Sequence, residues 1–224
     1  MPLPTPAKLL SAVRNRWRLR LELCVYACTA DEIRALPHPT RMRRDRWEDL
    51  ALCRAWSYPL LTREQYLAVV EERRLTGGQH LYSLVEDGVL VHYGWVIARQ
   101  ERAPDAALGL VMVPPPGSAG LYDYFTDPIA RGRGLYTDSL RQCMHDAIDL
   151  DGARQVFIYV YADNLISKRV IENAGFKYRG SLVLERRFFL PHRYSTYVDQ
   201  PLDVRSLAHD SPVPAVRAPA VVTV

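Results

Sequence analysis

The 224-residue sequence lacks several features that would identify whole classes of protein. It contains no run of about eighteen apolar residues and no signal-peptide core near its start, so we expect neither a membrane-spanning helix nor a secreted precursor. Its formal net charge of +4 is too small to indicate nucleic-acid binding by itself. We therefore expect a cytoplasmic protein without a nucleic-acid partner.

Cysteine is scarce and shows no pattern. The four cysteines, Cys24, Cys28, Cys53 and Cys143, have neither the paired spacing of a zinc site nor that of a disulfide framework. Cys24 and Cys28 stand close together, but no second pair follows them. We expect buried, reduced thiols and no metal.

Composition divides the chain into three parts. Residues 1–18 begin with three prolines and then become basic, which predicts an N-terminal extension. This extension is a frayed terminus, packs on the domain as a helix, or touches an anionic membrane surface through its basic side chains. Residues 19–200 predict a single globular domain. The prolines, alanines and isolated charges of residues 201–224 predict a disordered tail.

The first part of the domain carries clear local signals. Residues 19–28 alternate between apolar and polar side chains and predict a strand. Thr29 with Glu32 three residues later is typical of a capping box that begins a helix. Residues 41–74 have helical composition, interrupted near Pro59.

A hairpin is the next predicted unit. Residues 80–98 hold two apolar runs joined by a turn at Asp87-Gly88, the pair that favours a tight hairpin turn. Residues 99–120, which include three consecutive prolines, predict an irregular connection.

Residues 121–176 form the most informative stretch. Residues 121–126 have strand composition and are followed by a loop with two glycines, Gly132 and Gly134. Apolar residues then recur every four positions, as on one helix face: Leu140, Met144 and Ile148. A strand, a glycine loop and a helix N-terminus in this order are typical of an anion cradle, because glycine lets the backbone approach a phosphate and the first-turn N–H groups bind it.

Two common phosphate loops fit this stretch poorly. No lysine follows either glycine, which excludes the nucleoside-triphosphate loop. The dinucleotide fingerprint requires a third glycine where Thr137 stands. Asp163, after the next strand, lies roughly where a ribose-binding acid would, so the dinucleotide alternative stays open.

Two blocks resemble the GCN5-related N-acetyltransferase (GNAT) superfamily. Residues 131–136, RGRGLY, resemble its acetyl-CoA loop, and Asn164, Ser167 and Gly175-Phe176 resemble its later block in register. The resemblance covers about residues 80–180. It implies an α/β fold with a mixed, mostly antiparallel sheet of six or seven strands and helices on both faces.

The resemblance also implies a cofactor and a place for it. Acetyl-CoA, or another acyl-CoA, would be the co-substrate and a small amine the acceptor. The coenzyme would lie where the strand of residues 121–126 parts from that of residues 156–161. The residues expected to hold it are Tyr124, Phe125, Thr126, Arg131, Gly132, Arg133, Gly134, Leu135, Tyr136, Asn164 and Ser167. One of the two arginines would point to solvent, and Asn164 would either contact the coenzyme or cap its helix.

The candidate catalytic residues lie on the same strands. Asp123 is an acid in an otherwise apolar strand, where an unpaired carboxylate is costly, and is the candidate base. The alternative is a structural salt bridge to Arg179 or Arg187. His92 on the preceding strand is a second candidate, although a histidine in such a strand is often structural.

The tyrosine that donates a proton in many members of this family is absent from its usual position here. Ile171 occupies the position at which many members carry a tyrosine that protonates the departing thiolate. Tyr136, Tyr159 and Tyr161 are the alternatives, with Tyr161 as the catalytic candidate. His145, on the predicted helix, is expected to face solvent.

The identity of the acceptor is inferred from resemblance alone. Residues 92–96, HYGWV, and 122–125, YDYF, resemble members that serve cell-envelope polysaccharide and amino-sugar pathways. An amino sugar is therefore the first expectation, with proteins, peptides or polyamines as alternatives. A non-catalytic acyl-CoA sensor or interaction module is the alternative from another class. In either case we expect a monomer or a homodimer.

Overall fold

A nine-stranded sheet forms the frame of the molecule, and the computed structural model describes residues 18–54, 61–187 and 190–217. The predicted N-terminal extension lies almost entirely outside the described residues. The strands are β1 (Arg18–Thr29), β2 (Arg43–Arg44), β3 (Gln79–Glu86), β4 (Val89–Ile97), β5 (Ala103–Asp105), β6 (Leu110–Met112), β7 (Ser118–Thr126), β8 (Gln155–Tyr161), β9 (Lys177–Arg187), β10 (Leu190–Tyr197), β11 (Val204–Ser206) and β12 (Ala215–Arg217). The α-helices are α1 (Ala30–Arg34), α2 (Arg63–Thr76), α3 (Leu135–Asp149) and α4 (Leu165–Ala174), and two 3₁₀ helices span Trp47–Leu52 and Pro128–Ala130.

The main sheet is mixed and mostly antiparallel. Its order is β12-β10-β9-β1-β8-β7-β4-β3-β2, and the parallel neighbours in it are β7 with β8 and β10 with β12. A second sheet has the order β11-β6-β5. The predicted fold class is confirmed, whereas the predicted count of six or seven strands is too small. A dinucleotide-binding fold requires a mostly parallel sheet, so that alternative is wrong.

Side-chain alternation along the strands divides the core between the two faces of the sheet. Tyr82 and Val96 pack on the face covered by α1, α3 and α4. Their neighbours Leu81 and Trp95 point to the opposite face, which α2 covers. Because successive side chains of a strand point to opposite faces, each strand serves two hydrophobic layers. Helices therefore lie on both faces, as expected.

The strands β7 and β8 pair only briefly. Their parallel ladder runs over four residues of each strand and ends at Leu121 opposite Ile158. Beyond this point β7 stays paired with β4, through a register shift that sets Asp123 and Tyr124 against the single residue Gly94. Such a bulge bends the strand and increases its twist. The C-terminal halves of β7 and β8 consequently part, as the family resemblance implied.

Several local predictions are confirmed. Thr29 and Glu32 form the capping box of α1. Asp87 and Gly88 have φ values of 48° and 71°, as a tight hairpin turn requires. All four cysteines are free and buried. None of the described helices is long and apolar enough to cross a bilayer.

Other predictions are wrong, for a common reason. The irregular connection of residues 99–120 contains β5 and β6, and the disordered tail contributes β11 and β12 within residues 201–217. The helical stretch of residues 41–74 includes β2 and a 3₁₀ helix before α2 begins. These strands have two or three residues each, too few to show a periodic pattern of side chains. Strands β2 and β12 pair with edges of the main sheet, whereas β5, β6 and β11 pair with one another.

Candidate functional site

An open cradle lies between the end of β7 and the start of α3. Gly132 and Gly134 both have φ near 75°, a conformation that favours glycine, and a Cβ built on either would meet no atom within 4 Å. Gly134 is the N-cap of α3 and offers no side chain to the first turn. The N–H groups of that turn and the positive end of the helix dipole are therefore left for an anion.

The strand end that leads into the cradle is fixed by Asp127. Its backbone N–H donates to the carbonyl oxygen of Val91 on β4, and its carboxylate accepts from the backbone N–H of Ile129 at 3.0 Å. This buried cap holds the turn that carries the chain from β7 towards the two glycines.

Both cradle arginines are exposed but differ in their partners. Arg131 donates to the carbonyl oxygen of Thr126 at 3.3 Å. Arg133 makes two 2.8 Å hydrogen bonds to Glu86 in the β3–β4 turn and holds the pKa of that carboxyl below its usual range. Arg133 is thus already paired with a carboxylate, whereas the contact of Arg131 is with a backbone carbonyl, which leaves its positive charge beside the cradle.

The cavity at the cradle has a volume of about 460 Å³. Every residue predicted to hold the coenzyme lines it except Asn164, whose side chain caps α4 by accepting from the Ser167 N–H at 3.1 Å. The sequence argument missed four lining residues: Ala130, Thr137, Ile166 and Val170. The spacing of Ile166 and Val170, one helical turn apart, was the available signal for two of them.

Tyr136 belongs to a group of aromatic rings in the wall of this cavity. Its ring packs against Tyr124 at 5.0 Å and His92 at 6.1 Å between centroids. Burial raises the pKa of Tyr136, partly offset by a hydrogen bond with Ser167. The side chain is therefore a protonated part of the cavity wall.

His92 is fully buried beside this wall. Its Nδ1 lies 2.8 Å from the hydroxyl of Thr126, and its Nε2 has no hydrogen-bond partner among the described residues. Burial lowers the pKa of His92 to about 3, so the ring is neutral near pH 7. A neutral imidazole can accept a proton, but the low pKa makes His92 a weak base.

Asp123 occupies a strained position where β7 leaves β8. Its φ is 56°, which is uncommon for a residue other than glycine and is often found at functional sites. Its Oδ2 accepts from Tyr66 at 2.9 Å and from Arg73 at 2.8 Å. Its Oδ1 makes no hydrogen bond within the part of the chain that the structure describes.

The salt-bridge partner of Asp123 is Arg73 of α2. The predicted partner Arg179 is wrong, because Arg179 lies 3.6 Å from both Glu32 and Asp199. The side chain of the other predicted partner, Arg187, lies outside the described residues. The Asp123 and Arg73 side chains are 9% and 15% exposed, so this pair is largely dry.

Aromatic rings enclose the Asp123–Arg73 pair. The guanidinium carbon of Arg73 lies 4.8 Å from the ring centroid of Trp95, 5.0 Å from that of Tyr122 and 5.6 Å from that of Tyr66. Trp95 also donates its Nε1–H to the Tyr66 hydroxyl at 3.1 Å. These contacts fix Arg73, which in turn fixes Oδ2 of Asp123.

The candidate tyrosines differ in how their hydroxyls are used. The Tyr161 hydroxyl donates to Asp105 at 2.7 Å. The Tyr159 hydroxyl is buried and has no partner among the described residues, and burial raises its pKa. Tyr159 directly follows Ile158, the last β8 residue that pairs with β7. Ile171 is buried in the core.

We predict that Gly134→Trp abolishes coenzyme binding while Gly152→Trp does not. Both glycines have similar φ values, 75° and 70°, and open space at Cβ, but only Gly134 lines the cradle. The indole would fill the space that the diphosphate needs. Calorimetric titration with coenzyme A should show at least about a hundredfold weaker binding for the Gly134 variant only. Equal affinities for both variants would show that the coenzyme lies elsewhere.

We also predict that His92 makes the fold sensitive to acid. The unfolded imidazole titrates near pH 6.5 and the folded one near pH 3, so protons favour the unfolded state between these values. Stability is therefore retained above pH 6.5 and falls by up to about 1.4 kcal/mol per pH unit below it. From pH 7 to about pH 4.5, His92→Gln should lose about 2 kcal/mol less free energy of unfolding than wild type in urea titrations. Exposed His209→Gln is the control, and identical losses in all three proteins would refute the assignment.

Comparisons with known proteins agree with this geometry. The sequence model of the acetyltransferase (GNAT) domain matches residues 28–177, about two thirds of the chain. No curated protein matches the sequence.

Solved structures show the same fold. An acetyltransferase of the GNAT family from Colwellia psychrerythraea superposes with a TM-score of 0.53 at 14% identity, over 82% of this chain and 63% of that one. A conserved protein of unknown function from Staphylococcus epidermidis gives 0.50 at 10% identity, over 84% of this chain and 69% of that one. At these identities the likeness shows the fold alone, and the family match carries the assignment. The chain belongs to the GNAT acetyltransferases, the enzymes that transfer an acyl group from acyl-coenzyme A to an amine.

Proposed function

We propose that this protein transfers an acyl group, with acetyl as the default, from coenzyme A to the primary amine of an amino sugar. The observation that carries the proposal is the cavity that joins the end of β7, at Tyr124, Phe125 and Thr126, to the glycine cradle at the start of α3. It begins next to Asp123, just beyond the point where β7 parts from β8. An anion site at one end and a carboxylate beside the other suit a long thioester with a diphosphate at its far end.

The coenzyme would use main-chain groups for most of its contacts. The diphosphate would accept hydrogen bonds from the N–H groups of residues 132–136, with the charge of Arg131 nearby. The pantetheine arm would lie along the edge of β7 that faces away from β4 and pair with it as an added strand would. A β7 N–H group in the gap would polarise the thioester carbonyl.

Asp123 is the proposed base. The amine nitrogen attacks the carbonyl carbon, the carbon–sulfur bond breaks, and the ammonium proton passes to Oδ1 of Asp123 directly or through one water. Oδ2 is held by Tyr66 and Arg73, so the carboxylate can present its other oxygen without rotating. The strained backbone at Asp123 supports this role, because such strain tends to persist where it serves a site.

Tyr159 is the proposed donor to the departing thiolate, in preference to Tyr161. Its hydroxyl keeps its proton and lacks a partner among the described residues, and it follows the last residue of the β7–β8 ladder. The hydroxyl gives its proton to the sulfur and regains one from solvent. The Tyr161 hydroxyl already donates a hydrogen bond to Asp105. The Tyr136 side chain lies in the wall of the cradle cavity.

The acceptor end of the gap combines aromatic rings with polar groups. Tyr122 and Trp47 are partly exposed there, and Tyr122 hydrogen-bonds Gln79. Rings that cover the apolar faces of a pyranose, next to amide and carboxylate groups that bind its hydroxyls, suit a sugar better than an extended polyamine. His92 is set back in the buried wall and would act by holding Thr126 on the coenzyme path rather than by moving the proton.

One observation favours a second function. The Asp123–Arg73 ion pair is the arrangement expected if the domain binds acyl-CoA without catalysis. Calorimetry with acetyl-CoA, coenzyme A and NAD, followed by thiol release with amino sugars, polyamines and peptides, separates the two functions. Acetyl-CoA binding without thiol release from any amine would favour the binding module.

We predict that Asp123→Asn lowers kcat by at least about a hundredfold and leaves acetyl-CoA affinity within about twofold of wild type. The amide keeps an oxygen for Tyr66 and Arg73 but cannot accept the amine proton. Exposed Asp31→Asn on α1 is the matched control. A variant that binds acetyl-CoA normally and retains full activity would remove Asp123 from the mechanism.

We predict opposite effects on activity and stability when Tyr159 or Tyr161 is replaced by phenylalanine. Tyr159→Phe should lower kcat by about tenfold or more without loss of stability, because a buried hydroxyl without a partner does not stabilise the fold. Tyr161→Phe should retain activity and lose about 1 kcal/mol, because its hydrogen bond to Asp105 is lost. Activity assays and urea unfolding of both variants check this. The reverse pattern would assign the donor role to Tyr161.

A further inference from the structure

A group of metal-ligating side chains lies away from the cradle, at the C-terminal half of α3. His145 and Asp149 are four residues apart on α3, and His38 reaches them from the segment between α1 and β2. One ligand atom from each residue lies within 4.8 Å of the others. His145 is ten residues from the start of α3, so the group is about 15 Å along the axis from the cradle.

The buried histidine of this group has a fixed orientation. The prediction that His145 faces solvent is wrong, because its side chain is 6% exposed. Its Nε2 lies 3.2 Å from the carbonyl oxygen of Leu36, to which it can donate only as Nε2–H. The neutral ring then carries its lone pair on Nδ1. A backbone carbonyl that accepts the second ring N–H is the usual support of a histidine that binds metal.

His38 brings a second imidazole and a further carboxylate. Its ring stacks on that of His145 with centroids 4.1 Å apart and an interplanar angle of 10°. Its Nε2 lies 3.7 Å from Oδ1 of Asp146 on the same helix turn. His38 is exposed and belongs to a loop, so its ring can rotate towards an ion. The His145 ring is held in place by its hydrogen bond to Leu36.

We propose that His38, His145 and Asp149 bind a first-row divalent cation, with Zn²⁺ as the best match. Two imidazole nitrogens and one carboxylate oxygen are a common three-residue set for zinc, and Asp146 or a water completes four-coordination. Imidazole disfavours Mg²⁺ and Ca²⁺, which prefer oxygen ligands alone. The two carboxylates of Asp146 and Asp149 balance the charge of the ion.

The ion stabilises the fold and takes no part in acyl transfer. The segment that carries His38 also packs on α4, because a Cβ on Gly175 would lie 2.7 Å from the Leu36 side chain. A metal bridge from this segment to α3 therefore fastens together the two helices whose N-terminal ends flank the cradle. The proposal does not depend on the acceptor or on catalytic activity.

Calorimetric titration of ZnCl₂ into the full-length, tag-free, metal-stripped protein tests the site. Wild type should bind one equivalent, with a matching rise in Tm. His38→Asn and Asp149→Asn should each weaken binding at least tenfold and abolish the rise in Tm. The His38 and Asp149 side chains are exposed, so these two variants should fold. They test the site even if a third variant, His145→Asn, fails to fold because His145 is buried.

Exposed His209→Asn is the matched control and should bind Zn²⁺ as wild type does. The intense visible absorption bands of tetrahedral Co²⁺ would report the geometry of the site independently. Failure of the wild type to bind Zn²⁺, or binding that neither His38→Asn nor Asp149→Asn weakens, would overturn the proposal. In that case the stacked histidines and their carboxylate neighbour form only a structural contact.

Discussion

The rest of the structure depends on the parting of β7 from β8. Their ladder ends at Leu121 and Ile158, because the bulge at Asp123 and Tyr124 turns β7 towards β4. Gly94 leaves room for the Tyr124 ring beside this bulge, since a Cβ there would lie 2.1 Å from the ring. One missing side chain thus lets Tyr124 pack across β4 where β7 leaves β8.

The same bend sets the charge pattern of the site. A carboxylate in a dry gap needs a partner, and α2 supplies Arg73 to Asp123 from the opposite face of the sheet. Arg73 is held by three aromatic rings, so the carboxylate is fixed on one side and open on the other. At the other end of the gap, the helix dipole of α3 supplies positive potential without a buried cation. The charge pattern thus consists of fixed helix dipoles at the cradle and one constrained ion pair at Asp123.

Helix α3 connects the proposed functions. Its first turn faces the cradle, and its C-terminal half carries His145 and Asp149 against the segment after α1. Leu36 in that segment packs on the Gly175 end of α4. The proposed metal site and the glycine cradle therefore lie at opposite ends of one helix.

The sequence by itself determined the features that depend on neighbours in the chain. The capping box of Thr29 and Glu32, the Asp87-Gly88 turn and the glycine loop all follow from local backbone requirements. The residues predicted to hold a coenzyme, except Asn164, line one cavity. Only the tertiary structure decided which partner Asp123 takes and that His145 is buried. It also decided that the last strands join two sheets. These features depend on contacts between residues tens of positions apart, such as Arg73 with Asp123, and a single sequence carries no periodic signal for such contacts.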